Sequence, residues 1–404
     1  MIDKQNETVT IWNKDFICVM LANFMLCLAH FSINPLVSTY VEYLDASPQM
    51  AGLLAGMFFG VALAMRPFAG PVTTKVDKRK LLIFVFILGA VANLGYALFR
   101  NIPAFIGFRF INGVQFSLVG MLLMTLAADH LPKEKLTSGM GMYGVSGAVA
   151  SAVAPFIGNT MQQIGSNFRD DGFGFMLMFL FGSVIFVLAI IPSVMLAPDS
   201  KTKEDIANAG AWYKNIFTVH ALPTTIVMFL VMLPHSMIHT YMFDFGREQG
   251  IAGISVFYLV LALSLAVSRP MSGVLTDKFG IERIMFPGLV FFAVSLLIIG
   301  FSSALWMMII GAIIAAIGFG SSQPTLQAMC MQAETPIKRG VASNTIYIGL
   351  DLGLFLGPVI GGLVRVQTDF AVMYRTASIP IVLAVIALAI ILPIHRRRVA
   401  QLNN

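Results

Sequence analysis

A single carboxylic acid lies near the middle of a long apolar stretch of this 404-residue sequence: Asp351, in "YIGLDLGLFLGPVIGG". Apolar surroundings disfavour the charged form of a carboxyl group, so Asp351 could take up and release protons near neutral pH. At about 100° per residue around a helix, it points away from the glycines at 349, 353 and 357 and towards its own half of the chain. Two roles stay open: a proton-carrying acid, or a structural acid paired with a histidine or arginine of the same half.

Three basic side chains in other apolar stretches could also exchange protons. Arg109 has no acidic neighbour in its stretch, and His235 and His239 lie four residues apart, on one helical face. Histidine changes charge near physiological pH, although such residues are also found as hydrogen-bonded core groups. No carboxylate or thiolate in the same stretch completes a zinc set around the histidine pair. We therefore predict neither a metal site nor a cofactor, and name Asp351, Arg109, His235 and His239 as proton-coupling candidates.

Other polar side chains recur at three- to four-residue spacing inside the apolar stretches. Polar groups are costly in lipid, so they should face a cavity or a partner helix. They are concentrated in the first, fourth, seventh and tenth stretches, whereas the third, sixth, ninth and twelfth are almost featureless. The predicted cavity-lining residues are Asn23, His30, Asn34, Asn112, Gln115, His235, His239, Gln323 and Gln327.

The elements that position these side chains follow from composition. Hydrophobic residues make up 57% of the chain and charged residues 11%, with a mean hydropathy of +0.83, whereas soluble domains carry about 25% charge. Continuous apolar runs of membrane-spanning length must be helices, because lipid leaves no other partner for the backbone. Twelve are predicted, near residues 15–41, 49–72, 80–99, 103–128, 136–162, 173–197, 216–243, 252–275, 283–301, 304–330, 339–364 and 373–395. The fold class is therefore all-α and integral to a membrane.

Basic residues are distributed unevenly among the loops. If the amino terminus is cytoplasmic, 18 lysines and arginines fall on the cytoplasmic side and five on the other. The positive-inside rule then predicts a multi-pass protein with both termini in the cytoplasm. The location that we expect for it is the inner membrane of a bacterium. The net charge of +6 is topological, so nucleic acid is not an expected partner.

The two halves of the sequence repeat each other at an offset of 203 residues. "MRPFAGPVTTKVD" from residue 65 matches "SRPMSGVLTDKFG" from residue 268, and "APFIG" at 154–158 matches "GPVIG" at 357–361. Two motifs in one register indicate a duplicated six-helix unit, and an even number of helices gives the copies parallel topology. The predicted domains are a bundle at 1–197, a cytoplasmic linker at 198–215 and a second bundle at 216–404.

These motifs resemble those of the major facilitator superfamily over essentially the whole chain. The loop sequence Gly273-x-x-x-Asp277-Lys278-x-Gly280 is similar to the loop signature of the superfamily. The sequence from Arg109 to Gly113 is similar to its fourth-helix arginine motif, and Gly357-Pro358 is similar to the Gly-Pro motif of its proton-driven exporters. The resemblance implies two pseudo-symmetric bundles that alternately expose a central cavity lined by the first, fourth, seventh and tenth helices. The residues it assigns to conformational motifs are Arg66, Gly70, Thr74, Lys75, Asp77, Arg269, Gly273, Asp277, Lys278, Gly280, Pro155, Gly357, Pro358 and Gly361.

The first copy of the loop motif departs from the family pattern. Thr74 stands where the second copy has Asp277, and Asp77 stands where it has Gly280. The resemblance implies that the loop aspartate caps a helix of the opposite half, so this contact is in doubt in the first copy unless Asp77 replaces Thr74. Small residues four apart in the second, fifth and eleventh helices are expected to pack across the junction between the halves.

The function expected from these features is proton-coupled efflux of small organic molecules by an alternating-access monomer in the lipid bilayer. The alternative on the same scaffold is proton-symport import of a small organic anion or metabolite. A membrane enzyme or sensor would need a catalytic set or a soluble domain; the sequence offers no nucleophile–base pair and no phosphate loop, so no enzyme is predicted.

Overall fold

The computed structural model describes residues 10–46, 48–198 and 215–403. Nearly all of these residues are helical, and twelve of the described helices have 20 residues or more. They are α1 Lys14–Ile33, α2 Pro48–Lys75, α3 Lys78–Leu98, α4 Ile102–Asp129, α5 Leu136–Phe168, α6 Asp171–Met195, α7 Leu222–Glu248, α8 Ser255–Phe279, α9 Ile281–Gly300, α10 Leu305–Gln332, α11 Arg339–Gln367 and α12 Ser378–Asn403. The predicted twelve helices are confirmed.

Helix starts coincide with polar side chains that satisfy the free backbone N–H groups of the first turn. Asn13 accepts a hydrogen bond from the Phe16 N–H at the start of α1. Asn101 and Asp170 do the same for α4 and α6. Such caps contribute about 1 kcal/mol each, and they fix where the apolar runs begin.

The long helices have the composition of membrane spans. Eleven helical segments among the described residues are long and apolar enough to cross a bilayer, and α2 adds a helix of 28 residues. The protein is therefore a multi-pass membrane protein.

Helix packing repeats between the two halves of the chain. In the N-terminal bundle, α1 packs on α5 and α6, and α4 packs on α2 and α3; in the C-terminal bundle α7 packs on α11 and α12, and α10 packs on α8 and α9. The fold is thus two pseudo-symmetric six-helix bundles, as the 203-residue repeat predicts. The bounds 1–197 and 216–404 stay a prediction, and most of the predicted linker, residues 199–214, lies outside the described residues.

The small-residue stripes of α5 and α11 pack inside the bundles, which corrects the prediction that they face the opposite half. A Cβ on Gly158 of α5 would lie 2.7 Å from the carbonyl carbon of Ser32 in the last turn of α1, and one on Gly353 of α11 would lie 2.9 Å from the carbonyl oxygen of Phe229 in α7. Glycine therefore brings α5 close to α1 and α11 close to α7. The four-residue spacing of small residues identified the correct face of each helix but not the helix that packs against that face.

The bundles meet mainly through α2 with α11 and α5 with α8. Among the described residues, hydrogen bonds between bundles run from the middle of the helices to one end. We call this end, which includes Lys14, Lys75, Lys135 and Lys338, the basic end. We call the opposite end of the bundles the distal end. Gly56 and Gly60 of α2 lie towards it, and a Cβ added to either glycine would have no atom within 4 Å. The contacts that hold the bundles together are thus concentrated towards the basic end.

Candidate functional site

A buried ion pair joins the two bundles near mid-membrane. Arg66 of α2 donates from Nε to Asp351 Oδ2 of α11 at 2.7 Å, and both side chains are 1% exposed. Arg66 also donates from Nη1 to the Ser117 carbonyl oxygen of α4 at 2.7 Å, and its guanidinium lies 4.7 Å from the ring centroid of Tyr347. One guanidinium therefore connects α2, α4 and α11.

This geometry corrects the predicted orientation of Asp351. Its carboxylate does point away from the glycine stripe, but the stripe faces α7 of its own bundle, so Asp351 faces α2 of the other. The pairing was missed because Arg66 was grouped with charges at helix ends, whereas it lies nine residues before the end of α2. Its Arg-Pro position inside an apolar run was the available signal.

The arginine repeated in the C-terminal bundle, Arg269 of α8, lies at a small polar cavity between the bundles. Arg269 donates from Nη1 to the Gly144 carbonyl oxygen at 2.6 Å and from Nη2 to Gln323 Oε1 at 2.7 Å. The cavity has a volume of about 100 Å³. Its lining comes from five helices: Asn23, Tyr143, Gly144, Gly147, Arg269, Gln323, Pro324, Gln327 and Tyr347. Three of the predicted cavity residues, Asn23, Gln323 and Gln327, are thus brought together here.

His235 lies in the C-terminal bundle near Arg269, and His239 lies one turn further along α7. The two imidazole centroids are 4.6 Å apart, and the His235 ring stacks on Phe319 with centroids 3.8 Å apart. Phe319 also lies under the Arg269 guanidinium at 5.9 Å. His239 is exposed, next to Tyr258 at 6.1 Å. Aromatic stacking therefore holds His235 near the cavity, while His239 is open to the surroundings.

The other predicted cavity residues form an internal cluster of the N-terminal bundle. His30 Nε2 is 3.0 Å from Gln115 Oε1, and its ring is surrounded by three phenylalanine rings with centroids within 5.2 Å. Arg109, 2% exposed, donates to the Asn34 side-chain oxygen and to the Leu54 carbonyl oxygen, both at 3.2 Å. Asn112 is equally buried. The His30–Gln115 and Arg109–Asn34 contacts lie inside the N-terminal bundle, and none of these side chains lines the cavity described above.

The second copy of the loop motif reaches across to the opposite bundle. Asp277 Oδ2, at the end of α8, accepts hydrogen bonds from the backbone N–H of Ser138, at 2.8 Å, and from its hydroxyl. Ser138 lies in the first turn of α5, where a carboxylate also benefits from the helix dipole. A Cβ on Gly273 would meet the Thr137 carbonyl oxygen at 2.8 Å, so glycine permits this approach. Lys278 lies beside Phe279, and Gly280 ends the helix with φ +89°.

The first copy has a different set of contacts. The side chain of Thr74 lies outside the described part, and Lys75 is exposed at the end of α2. Asp77 caps α3 of its own bundle by accepting from the Lys80 N–H at 2.9 Å, so it does not replace the missing aspartate. At the corresponding place, Arg339 of α11 donates to Asp129 of α4 at 3.1 Å.

Asp277→Asn should loosen the basic end without unfolding the bundles. An amide still accepts a hydrogen bond from Ser138 but loses the charge, and helix-dipole and charge-assisted contacts of this kind contribute about 0.5–2 kcal/mol. We expect a cysteine placed at Ser343, which is buried where α11 meets α4 of the opposite bundle, to react with a membrane-impermeant maleimide about 2- to 30-fold faster in this variant. Asp77→Asn, which removes a cap within one bundle, is the control and should not change the rate.

Gly-Pro motif residues also belong to helix packing. The Pro358 carbonyl oxygen accepts from the Tyr241 hydroxyl at 2.7 Å, and a Cβ on Gly361 would lie 3.1 Å from Met237. Pro155 is exposed on α5, and Gly70 lies close to the Asn344 side chain, 3.1 Å from its amide nitrogen to the position of a Cβ. Within the described residues, no three His, Cys, Asp or Glu side chains converge as metal ligands would.

Comparisons of the sequence with known proteins agree on one family. The model of the Major Facilitator Superfamily matches residues 19–269 and 224–403. The chain is 21% identical to the staphylopine export protein of Staphylococcus aureus, over 90% of this chain and 93% of that protein. It is 23% identical to the multi-drug resistance efflux pump PmrA of Streptococcus pneumoniae, over 91% and 93%.

Solved structures share the fold. The crystal structure of the human organic anion transporter MFSD10 (TETRAN) superposes with a TM-score of 0.75 at 15% identity, covering 93% of this chain and 99% of that one. The proton:xylose symporter XylE gives 0.74 at 12% identity, covering 93% and 94%.

Proposed function

Since the chain belongs to the major facilitator superfamily, a family of secondary transporters rather than enzymes, we propose that it exports small organic molecules in exchange for protons. The proposal extends to the bacterial inner membrane, with both termini and the basic end in the cytoplasm, because basic residues favour that side. We further propose that it works as a monomer, without cofactor or nucleic acid, and draws its energy from the proton gradient.

The observation that carries the proposal is the Arg66–Asp351 ion pair. Asp351 is 2% exposed and its partner belongs to the other bundle, so the basic end opens only if this pair separates. Separating a buried pair leaves uncompensated charge and costs about 3–5 kcal/mol. Protonation of Asp351 removes its charge, so the attraction that holds the two bundles together at this point is lost before they separate. Proton binding is thereby linked to opening of the basic end, and deprotonation to its closure.

Proton exchange follows from this linkage if the distal end faces outwards. A proton from the outside reaches Asp351, releases the pair and allows the basic end to open to the cytoplasm. There the proton is lost, a substrate is bound, and formation of the pair closes the basic end behind the substrate. The names of the two relatives, an export protein and an efflux pump, favour this direction over import.

The test is transport in proteoliposomes whose basic end faces the bath. With an acidic lumen, protons leaving the lumen should drive substrate into it, and dissipating the pH gradient with nigericin should stop accumulation. The alternative, proton-symport import, predicts the reverse: accumulation in the lumen only when the bath is the acidic side. That result would overturn the proposed export.

A further inference from the structure

The two repeated arginines differ in charge balance. Arg66 is paired with Asp351, whereas the hydrogen bonds of Arg269 go to two neutral acceptors, the Gly144 carbonyl and the Gln323 amide oxygen. Within the described residues, no Asp or Glu forms an ion pair with Arg269, and its buried Nε has no hydrogen-bond partner. Arg269 is therefore a largely enclosed cation with an N–H left to donate.

The 203-residue repeat identifies the position in the N-terminal bundle that corresponds to Asp351. On α11, Tyr347 lies against Arg66 and Asp351 follows four residues later. On α5, the residue 203 positions before Tyr347 is Gly144, which accepts from Arg269, and the residue 203 positions before Asp351 is Ala148. At the second interface, glycine therefore replaces the tyrosine that lies against the arginine, and alanine replaces the carboxylate that pairs with it.

The space beside Arg269 is polar but uncharged. The cavity of about 100 Å³ would hold roughly three water molecules at about 30 Å³ each, which is room for a carboxylate or sulfonate group but not for a whole organic molecule. Its other polar lining consists of the side-chain amides of Asn23, Gln323 and Gln327 and the phenols of Tyr143 and Tyr347. None of its lining residues is acidic. An enclosed cation without a counter-charge is costly, and a guanidinium presents paired donors that match a carboxylate or sulfonate.

We infer that Arg269 binds the negatively charged group of the transported molecule, and that the substrates are organic anions. The substrate supplies at Arg269 the negative charge that Asp351 supplies at Arg66. The Gln327 side-chain amide lines the same cavity and can donate to the same group, whereas the Asn23 N–H groups are already donated to Tyr143 and Ser146. Phe319 lies near the Arg269 guanidinium and stacks on the His235 ring. The inference rests on the proposed transport function and names its substrate class.

The test measures ligand binding to the purified full-length protein in detergent, by ligand-induced shifts of the melting temperature. The probes are benzenesulfonate and naphthalene-2-sulfonate, compared with the neutral benzenesulfonamide and naphthalene-2-sulfonamide, and with inorganic sulfate alone. At least one sulfonate should stabilise the protein at concentrations about tenfold or more below its sulfonamide, because a charge-assisted pair replaces a neutral one. Equal stabilisation by both members of each pair, or by none, would overturn the inference, and Arg269-dependent stabilisation by sulfate would assign the site to an inorganic anion instead.

Two variants with a matched control locate the site. Ala148→Asp places a carboxylate where the duplication lacks one, so it should compete for Arg269 and weaken sulfonate binding about tenfold or more. Ala148→Asn adds the same volume without charge and should retain binding; equal loss in both variants would mean that bulk alone is responsible and would contradict the inference. Arg269→Gln should abolish the preference for sulfonates, and a retained preference in a folded protein would also contradict it.

Binding separates this inference from the proposed function. The melting-temperature measurement uses no proton gradient, so its outcome does not depend on proton coupling. If transport proves not to be proton exchange but sulfonate binding still depends on Arg269, only the proposed function fails.

Discussion

Asp351→Asn should reduce proton-driven transport about 100-fold or to background while sparing exchange of substrate for substrate at equal pH. Asparagine fills the same volume but carries no exchangeable proton, so opening of the basic end is no longer linked to the proton gradient. The measurement is uptake into proteoliposomes with and without an imposed gradient, beside counterflow in the same preparation. Asp171→Asn, at an exposed acid in the first turn of α6, should leave both unchanged. Unaltered pH dependence in Asp351→Asn would exclude this carboxyl as the coupling group.

The same substitution leaves the Arg66 charge buried without its counter-charge. Removal of one partner of a buried pair destabilises proteins by about 3–5 kcal/mol, whereas replacing both by apolar groups is often neutral. The double variant Arg66→Met with Asp351→Leu should therefore restore thermal stability without restoring proton-driven uptake. Recovery of coupling in the double variant would show that the pair is only structural.

Gly158→Val should prevent assembly of the N-terminal bundle, with about tenfold or greater loss of folded, monodisperse protein. A Cβ at this position would meet the backbone of Ser32, which has little freedom to move, and overpacking of this kind costs about 1–3 kcal/mol or more. Fluorescence size-exclusion chromatography of tagged protein measures the folded fraction.

Gly60→Val is the matched control, since the position of its Cβ has no neighbour within 4 Å. It should give normal amounts of folded protein. If α2 must approach the opposite bundle when the distal end closes, Gly60→Val should fold normally but transport more slowly than the unsubstituted protein. Equal folding losses in Gly158→Val and Gly60→Val would mean that the close approach of α5 to α1 is not what glycine provides.

Topology and duplication could be predicted from the sequence because both depend on properties of single segments. Hydrophobic length specifies a membrane helix whatever surrounds it, and the 203-residue register links Arg66 to Arg269 without any structure. The contact of Asp277 with the start of α5 was likewise implied by the motif. It depends on a helix end, which the sequence locates well.

The partners of polar side chains were harder to predict. Periodicity gives the face of a helix on which a residue lies, but a helix in a bundle has several neighbours. His30 and Asn34 lie on a polar stripe of the kind expected at a cavity, yet aromatic rings and Arg109 enclose them within one bundle. Asp351 was placed on the correct side of α11 but assigned to the wrong neighbour. In each case the missing information is the rotation of one helix relative to another.

The geometry of the Arg66–Asp351 contact affects the rate at which a transporter of this kind can complete its cycle. Only Nε bonds to the carboxylate; Arg66 Nη2 and Asp351 Oδ1 have no hydrogen-bond partner among the described residues. A bidentate pair would hold the bundles together more strongly. However, each additional 1.4 kcal/mol or so in the activation free energy of a rate-limiting step would slow the cycle about tenfold. If separation of this pair limits the transport cycle, a contact through Nε alone allows faster turnover than a bidentate pair would.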